Sequence, residues 1–350
     1  MRVQILYPPS GPYDAIATHG RLLADQLATL GIAVRVAEGG VRRLTRTVME
    51  RRTDWVLLQY NPYSFGRWGF APLLVAALAL ARLLPGSPRV AVMLHEAYSR
   101  ERSSRRNTLM GLWQREQLRA ILRLVAPVFV STEENGVVVR ALAPGTSAIH
   151  LPIPATVRCA GIGRADARDN LGIPPDALVL TLFGGRHPSR ALGHAEAAVD
   201  AVTRTGRPLV VLNLGADPPD VVLPHEVRAI APGPLDPIAL SRHLAATDVA
   251  LVPFTDGVST RRTTLTAALA HGLTVVGTDG ERTDDLLRAH PDALVLTPVA
   301  APERFAAAVA ELADDPARRA RTGQAARRLY ETTFDWPVVG RRLVAELEAS

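Results

Sequence analysis

The chain has 350 residues and a formal net charge of +6; at roughly 100–200 residues per domain, that length predicts about two domains. All 40 basic residues are arginine and lysine is absent, which excludes a Walker A lysine, a Schiff-base lysine and a lysine general base. The single cysteine, Cys159, excludes an internal disulfide and a multi-cysteine zinc site; it reads as a small, partly buried apolar residue.

The opening "MRVQILYPPSG" enters a strand pattern directly. No long apolar run ending in a small-residue cleavage site precedes it, so a secretory leader is not expected and a cytoplasmic protein is. Strands are predicted at 3–7, 33–37, 55–59, 89–94, 128–132 and 148–152. Helical patterns separate most of them. In "THGRLLADQLATLG", Thr18 is the expected N-cap and Gly31 the residue that ends the helix. Further helices are expected over 41–52, 70–84, 104–125 and 132–142. The apolar run 70–84 is shorter than the roughly 20 residues of a membrane span, is interrupted by Arg82, and reads as a buried helix.

The pattern breaks at 152–165, "PIPATVRCAGIGRA", which reads as a linker. It then resumes, with strands at 178–183, 208–214, 228–232, 249–254, 274–278 and 293–297. Helices fall near 190–205, 236–246, 261–271, 282–289, 301–313 and 316–331, and a last one follows Trp336–Pro337. Strands alternating with helices predict parallel, doubly wound sheets. The expected architecture is α/β: two tandem Rossmann-like domains, 1–155 joined by a C-terminal helix 335–350, and 156–334. In such a pair ligands are expected at the carboxyl ends of the strands, in a cleft between the domains.

The positive charge favours an anionic partner. The arginines are dispersed and accompany no helix-turn-helix, zinc-finger or aromatic-basic stacking motif, so a nucleotide or phosphate ligand fits better than nucleic acid. Helix 104–125 is amphipathic and basic, which allows shallow, peripheral membrane contact at most.

Four strand exits carry more polar chemistry than a turn requires. After the first strand, Ser10–Gly11 bends the chain without a G-x-G-x-x-G fingerprint. After the fourth, His95 and Glu96 leave an apolar strand where a histidine can donate to developing negative charge or shuttle a proton. In "LTLFGGRHPSRALGH", Gly184 and Gly185 close a strand, and Arg186 and Arg190 form a candidate diphosphate clamp. In "PFTDGVSTRRTTLTAALAHG", a helix N-terminus follows a strand directly. Gly257 is expected to let the backbone approach a ligand. Ser259, Thr260, Thr263 and Thr264 add hydroxyls, Arg261 and Arg262 add charge, and Asp256 is an acceptor for a sugar or ribose hydroxyl. Plain structural roles compete at each place: a surface loop at 95–96, surface arginines at 186 and 190, and ordinary N-capping at 259–260.

Taken in order, these features resemble a GT-B glycosyltransferase of the retaining, nucleotide-sugar-dependent family 4, over almost the whole chain. "FGGRHPSRALGH" is similar to that family's glycine-rich strand exit, with Arg190 at the usual lysine position. "TDVALVPFTDGVSTRRTTLTAALAHGLTVVGTDG" is similar to its signature strand–loop–helix–strand, and "YETTFDWPVVGRRLVAELEA" to its closing helix, which in that fold crosses back onto the first domain. The family usually has two glutamates eight residues apart across the signature loop. Matching "LTAALAHG" to the family's helix puts Thr266 and Val258 in their places; matching "DG" to the usual E-G makes Asp256 the first acid in a loop two residues longer. The longer loop retains a carboxylate and is preferred.

The resemblance implies transfer of a sugar from a nucleoside diphosphate sugar, of UDP or GDP type, with retention at the anomeric carbon and without metal or cofactor. Arg186, Arg190 and the helix N-terminus at Ser259–Arg262 would stabilise the departing diphosphate, and His95 would face the sugar and the acceptor. Gly11 joins the expected donor site. Tyr13, Tyr63, Glu96 and Tyr98 are the expected acceptor contacts, while Tyr60, Phe65 and Trp68 divide between ring stacking and core. A small molecule or natural-product scaffold is favoured as acceptor over a lipid-linked sugar, and a monomer or homodimer is expected. A nucleotide-sugar epimerase and a non-catalytic nucleotide-sugar-binding protein are the competing readings.

Overall fold

The computed structural model describes residues 1–8, 15–100 and 103–350. Two compact units divide the chain, Met1–Ile153 with Trp336–Ser350, and Pro154–Asp335.

The first unit is built on a parallel sheet of β1 (Arg2–Tyr7), β2 (Ala33–Glu38), β3 (Trp55–Tyr60), β4 (Arg89–Leu94), β5 (Val128–Val130) and β6 (Ala148–His150), in the order β2-β1-β3-β4-β5-β6. Strand β3, "WVLLQY", is buried throughout, as a strand covered on both faces must be. Its alternate residues serve two cores. Leu57 joins Ile5, Met93 and Phe129 under α1 (Ala15–Thr29) and α13 (Trp336–Ala349), whereas Val56 and Leu58 join Leu6, Val92 and Leu94. The second core is covered by α2 (Val41–Glu50), α3 (Pro72–Leu83), α4 (Arg105–Leu122) and α5 (Glu133–Leu142). Helix α13 presents Trp336, Val339, Leu343 and Leu347 to the first core, which is the 3.6-residue stripe of an amphipathic helix. Helix α1 runs from Ala15, so Thr18 lies inside it and is not its N-cap. Gly31 does end it: its φ of 78° lets Ile32 N–H turn back to the Leu27 carbonyl at 3.1 Å.

The second unit repeats the plan with β7 (Leu178–Phe183), β8 (Leu209–Leu214), β9 (Arg228–Ile230), β10 (Val249–Val252), β11 (Thr274–Asp279) and β12 (Val295–Pro298), all parallel, in the order β12-β11-β10-β7-β8-β9. Its helices are α6 (Arg164–Asn170), α7 (Leu192–Thr203), α8 (Pro237–Ala245), α9 (Thr263–Ala270), α10 (Asp285–Arg288), α11 (Pro302–Asp314) and α12 (Pro316–Leu329). Strands β7 and β10 are neighbours, and the chain runs outward from them in opposite directions. This is the switch point of a doubly wound sheet, where the loops leaving the two strands diverge and open a crevice.

The stretch 152–165 contains the boundary between the two units, and part of it packs: Ile153, Ala155 and Val157 are buried and Ile162 packs on the second unit's core. Cys159 is exposed rather than partly buried, between exposed Arg158 and Ala160. A buried ion pair, Arg168 to Asp248 at 2.6 Å, ties α6 to the start of β10.

Candidate active site

In the second unit the loops leaving β7 and β10 are stitched together. Thr255 N–H donates to the Ser189 carbonyl at 2.8 Å and Ala191 N–H to the Pro253 carbonyl at 3.2 Å. The stitching brings Arg190 and Arg262 to one aromatic ring. The Arg190 guanidinium carbon lies 4.8 Å, and that of Arg262 3.9 Å, from the Phe254 ring centroid. Gly184 makes the approach possible. Its φ is 117°, and a Cβ there would run into the Arg190 guanidinium and against Thr264.

Two guanidinium groups held this close, with little water, repel each other. Burial, and then the charge of Arg262, pull the Arg190 pKa down to about 10. Burial likewise lowers that of Arg262, opposed by Asp256. Asp256 is the counter-charge: both its oxygens accept from Arg262 Nη2, at 2.9 and 3.1 Å, and Arg282 stands 3.8 Å away. The site remains short of acceptors. Arg190 Nη1, Arg262 Nε and Thr264 Oγ1 are buried and have no hydrogen-bond partner among the described residues. Each such buried orphan costs about 1–3 kcal/mol. Helix α9 begins beside them, at Thr263, and no side chain caps it, so its first-turn amides add partial positive charge.

The remaining predicted residues of this loop divide. Arg261 and Thr263 are partly exposed at the start of α9. Gly185 is exposed next to Gly184. Six expected contacts are engaged by other residues of the unit. Arg186 does not join the clamp, because its guanidinium pairs with Asp220 and Asp217. Gly257 (φ 89°) accommodates Gly280 and Thr283, which crowd the space where its Cβ would be. Val258 is fully buried in the core. Thr260 directs both its N–H (2.6 Å) and its hydroxyl (2.8 Å) to Asp284. Thr266 is fully buried and returns its hydroxyl to the Thr263 carbonyl at 3.3 Å. Ser259 is buried and its carbonyl accepts from Arg262 N–H at 3.0 Å, so it shapes the turn.

His187 is a member that sequence reasoning missed. Its Nδ1 accepts from Ser189 N–H at 3.1 Å, which leaves the proton on Nε2. Burial and then the charge of Arg262 lower its pKa, so the neutral ring is favoured. Its place between Gly185 and Ser189, in the same strand exit as the two arginines, was the available signal.

In the first unit His95 directly follows β4, and its Nε2 lies 2.7 Å from Gln59 Oε1. His19 Nδ1 lies 3.2 Å from the same oxygen. An amide oxygen only accepts, so both rings turn an N–H toward it and both tautomers are fixed. The His95 carbonyl accepts from Ser131 Oγ (3.1 Å) and Asn135 Nδ2 (3.2 Å), which anchors its backbone. The His19 ring meets the His95 ring edge-on at 5.4 Å and Trp336 at 5.6 Å, and burial pushes its pKa down to about 4. His19 and Gln59 were missed, although Gln59, a lone amide near the end of an apolar strand, carries a positional signal like that of His95; His19 lies inside α1. Glu96 accepts from Asn61 Nδ2 at 3.3 Å and Tyr63 is exposed, whereas Tyr98 packs partly into the core with Tyr60 and Phe65. Gly11 and Tyr13 lie outside the described residues. No cluster of three or more His, Cys, Asp or Glu side chains among the described residues is arranged to hold a metal ion.

No family model matches the sequence, and no curated protein sequence does. Solved structures do match. Sucrose-phosphate synthase from Thermosynechococcus elongatus superposes with a TM-score of 0.73 at 14% identity, covering 100% of this chain and 98% of that one. Anabaena HepE, in complex with UDP, superposes with a TM-score of 0.68 at 13% identity over the whole of both chains. The chain has the GT-B fold. A glycosyltransferase from Rickettsia africae covers 98% of the chain at 11% identity and a TM-score of 0.67, consistent with the same GT-B plan of two parallel six-stranded sheets flanked by helices.

Proposed function

We propose that the chain is a retaining glycosyltransferase that moves a sugar from a nucleoside diphosphate sugar to an acceptor. One observation carries this reading: two largely buried, mutually repelling guanidinium groups, Arg190 and Arg262, share one aromatic ring, with a carboxylate on Arg262 alone, and leave N–H groups unpartnered at the switch point of a doubly wound sheet. A diphosphate is the ligand whose charge and oxygen geometry suit that arrangement. Several solved structures of the same fold were obtained with UDP or UDP-glucose, which supports a UDP-type donor here.

In this reading the bond between the anomeric carbon and the diphosphate breaks, and negative charge grows on the leaving oxygen. Arg190, Arg262, the Thr264 hydroxyl and the first amides of α9 stabilise that charge without moving, the form of catalysis that commonly contributes most. No metal is needed, because the guanidinium groups supply the positive charge. In the first unit the Nε2–H of His95 donates to Gln59, which leaves Nδ1 as the acceptor nitrogen of the neutral ring, suited to a substrate hydroxyl. Asp256 orients Arg262.

The test is turnover. The protein is incubated with UDP-, GDP-, ADP- and TDP-sugars, released nucleoside diphosphate is measured, and the anomeric configuration of any product is read by NMR. Release of a diphosphate with retained configuration, abolished by Arg190→Ala, is the expected result. Conversion of the donor to an isomer without release would identify an epimerase instead.

A further inference from the structure

We infer that the face formed by the 66–70 loop, the outer side of α3 and the first half of α4 is a docking surface for an anionic lipid bilayer.

Helix α3 has apolar residues on two opposite sides. Leu74, Ala77, Leu78 and Ala81 are buried in the core. Leu73, Leu80 and Leu83 are 71%, 37% and 79% exposed, and with exposed Ala76 they follow a 3-4-3 spacing, which is a second stripe on one side. A helix at the surface of a soluble unit normally shows polar residues there. Beside its N-terminus the 66–70 loop exposes Trp68 (43%) and Phe70 (59%), and α4 exposes Leu109 (59%) and Leu112 (46%).

This surface is built, not frayed. Trp68 has a φ of 55°, a left-handed conformation that a bulky residue adopts only where its surroundings enforce it. The enforcing contacts come from α4. Trp113 Nε1 and Gln114 Nε2 donate to the Trp68 carbonyl at 3.2 and 3.0 Å, Gln117 Nε2 donates to the Gly69 carbonyl at 3.1 Å, and Ala71 N–H donates to Gln117 Oε1 at 2.7 Å. Gly66 and Gly69 are crowded so closely by backbone that neither tolerates a Cβ. The loop's backbone is thus clamped inward while its large side chains stay at the surface. Phe70 and Trp113 meet edge to face at 6.0 Å, and Arg67 and Arg106 stack over Trp68 at 4.6 and 4.2 Å.

Charge selects the occupant. Residues 61–83 and 105–115 contain Arg67, Arg82, Arg105, Arg106 and Arg115 and no acidic residue; Glu116, paired with Arg119 and 3.9 Å from Arg115, ends the acid-free stretch. Aromatic and aliphatic side chains flanked by arginines on an exposed helical face are what a headgroup layer over hydrocarbon accepts: tryptophan at the interface, leucines below it, guanidinium groups on lipid phosphate. No helix among the described residues is long and apolar enough to cross a membrane, so the contact is peripheral.

The test uses the full-length protein and sedimentation with vesicles of phosphatidylcholine alone or containing 30% phosphatidylglycerol. Binding at low salt to the anionic vesicles, at least ~10-fold over the neutral ones, is expected from surface attraction of about fivefold per basic residue. Trp55 and Trp336 are buried, so a blue shift of tryptophan emission on binding reports Trp68 and Trp113. Two variants divide the contributions. Phe70→Ser/Leu73→Ser/Leu83→Ser should abolish the blue shift, and Arg105→Gln/Arg106→Gln should lower partitioning roughly 25-fold by the same per-residue figure. Both variants replace exposed side chains, and an unchanged thermal midpoint confirms that they fold. The proposal is overturned if the protein binds neither vesicle, if both folded variants bind like the parent, or if the parent is a dimer in ultracentrifugation that the triple variant converts to monomer. None of these outcomes depends on sugar transfer.

Discussion

Arg190 and Arg262 press their guanidinium groups toward the same ring, that of Phe254, with carbon-to-centroid distances of 4.8 and 3.9 Å. Like charges converge there because β7 and β10 are neighbours at the sheet's switch point and their loops are stitched by backbone hydrogen bonds. A folded chain tolerates this repulsion most easily where a ligand of opposite sign relieves it.

The first prediction concerns that pair. Replacing Arg190 with alanine removes charge-assisted hydrogen bonds worth about 1.5–3 kcal/mol in total, so nucleoside diphosphate affinity should fall roughly 10- to 100-fold. Arg190→Lys should recover only part of the loss, because it keeps the charge and loses the planar fork. Calorimetric titration measures both.

A second prediction separates the two roles weighed for Asp256. Its oxygens are engaged by Arg262 at 2.9 and 3.1 Å. If tethering Arg262 is its task, Asp256→Asn changes the affinity for pyrophosphate and for UDP by the same factor. A direct ribose contact would weaken UDP alone. Parallel titrations with the two ligands decide the matter.

Acid should destabilise the fold. Burial holds the His19 pKa at about 4, against an ordinary 6.5. The unfolded chain takes up its proton below pH 6.5 and the folded chain only below about pH 4. Stability is therefore unaffected by His19 above pH 6.5 and falls as pH drops through this window, by about 3 kcal/mol in all. His187 and His271 shift in the same direction, also chiefly through burial, and add to the slope. Urea unfolding at pH 7.5, 5.5 and 4.5 should show the loss, and His19→Gln should flatten it.

The loop before α9 depends on Asp284, which accepts from both the amide and the hydroxyl of Thr260. Asp284→Ala removes that buried acceptor and should cost about 1–3 kcal/mol, read as a lower thermal midpoint. Thr260→Val, which keeps the amide bond, should cost less.

Much of the fold was legible because the pattern was one-dimensional. Strands such as "LVLTLF" and "RVAVML" sit within the residues predicted for them, since a continuous apolar run between helical patterns has few other solutions. The site was legible in outline only. Arg190 and Arg262 stood out as cations at strand exits, and the structure brings them together. Arg186 stood out equally and went to Asp220, because the direction of a side chain at a loop depends on partners distant in sequence. Thr260 and Thr266 looked like ligand donors for the same reason: a hydroxyl near a helix start reads alike whether it faces solvent, Asp284 or its own helix. His19 and Gln59 escaped notice because they become a unit with His95 only when β1, β3 and β4 are laid side by side.

The central claim is that Arg190 and Arg262 hold the diphosphate of a nucleotide-sugar donor. Calorimetric titration of the parent chain and of the Arg190→Ala/Arg262→Ala variant with UDP, GDP, ADP and TDP tests it most directly. At least one of the four should bind the parent, and the folded double variant should lose at least ~100-fold of that affinity. Binding of equal strength in both, or no binding of any of the four to the parent, would contradict it.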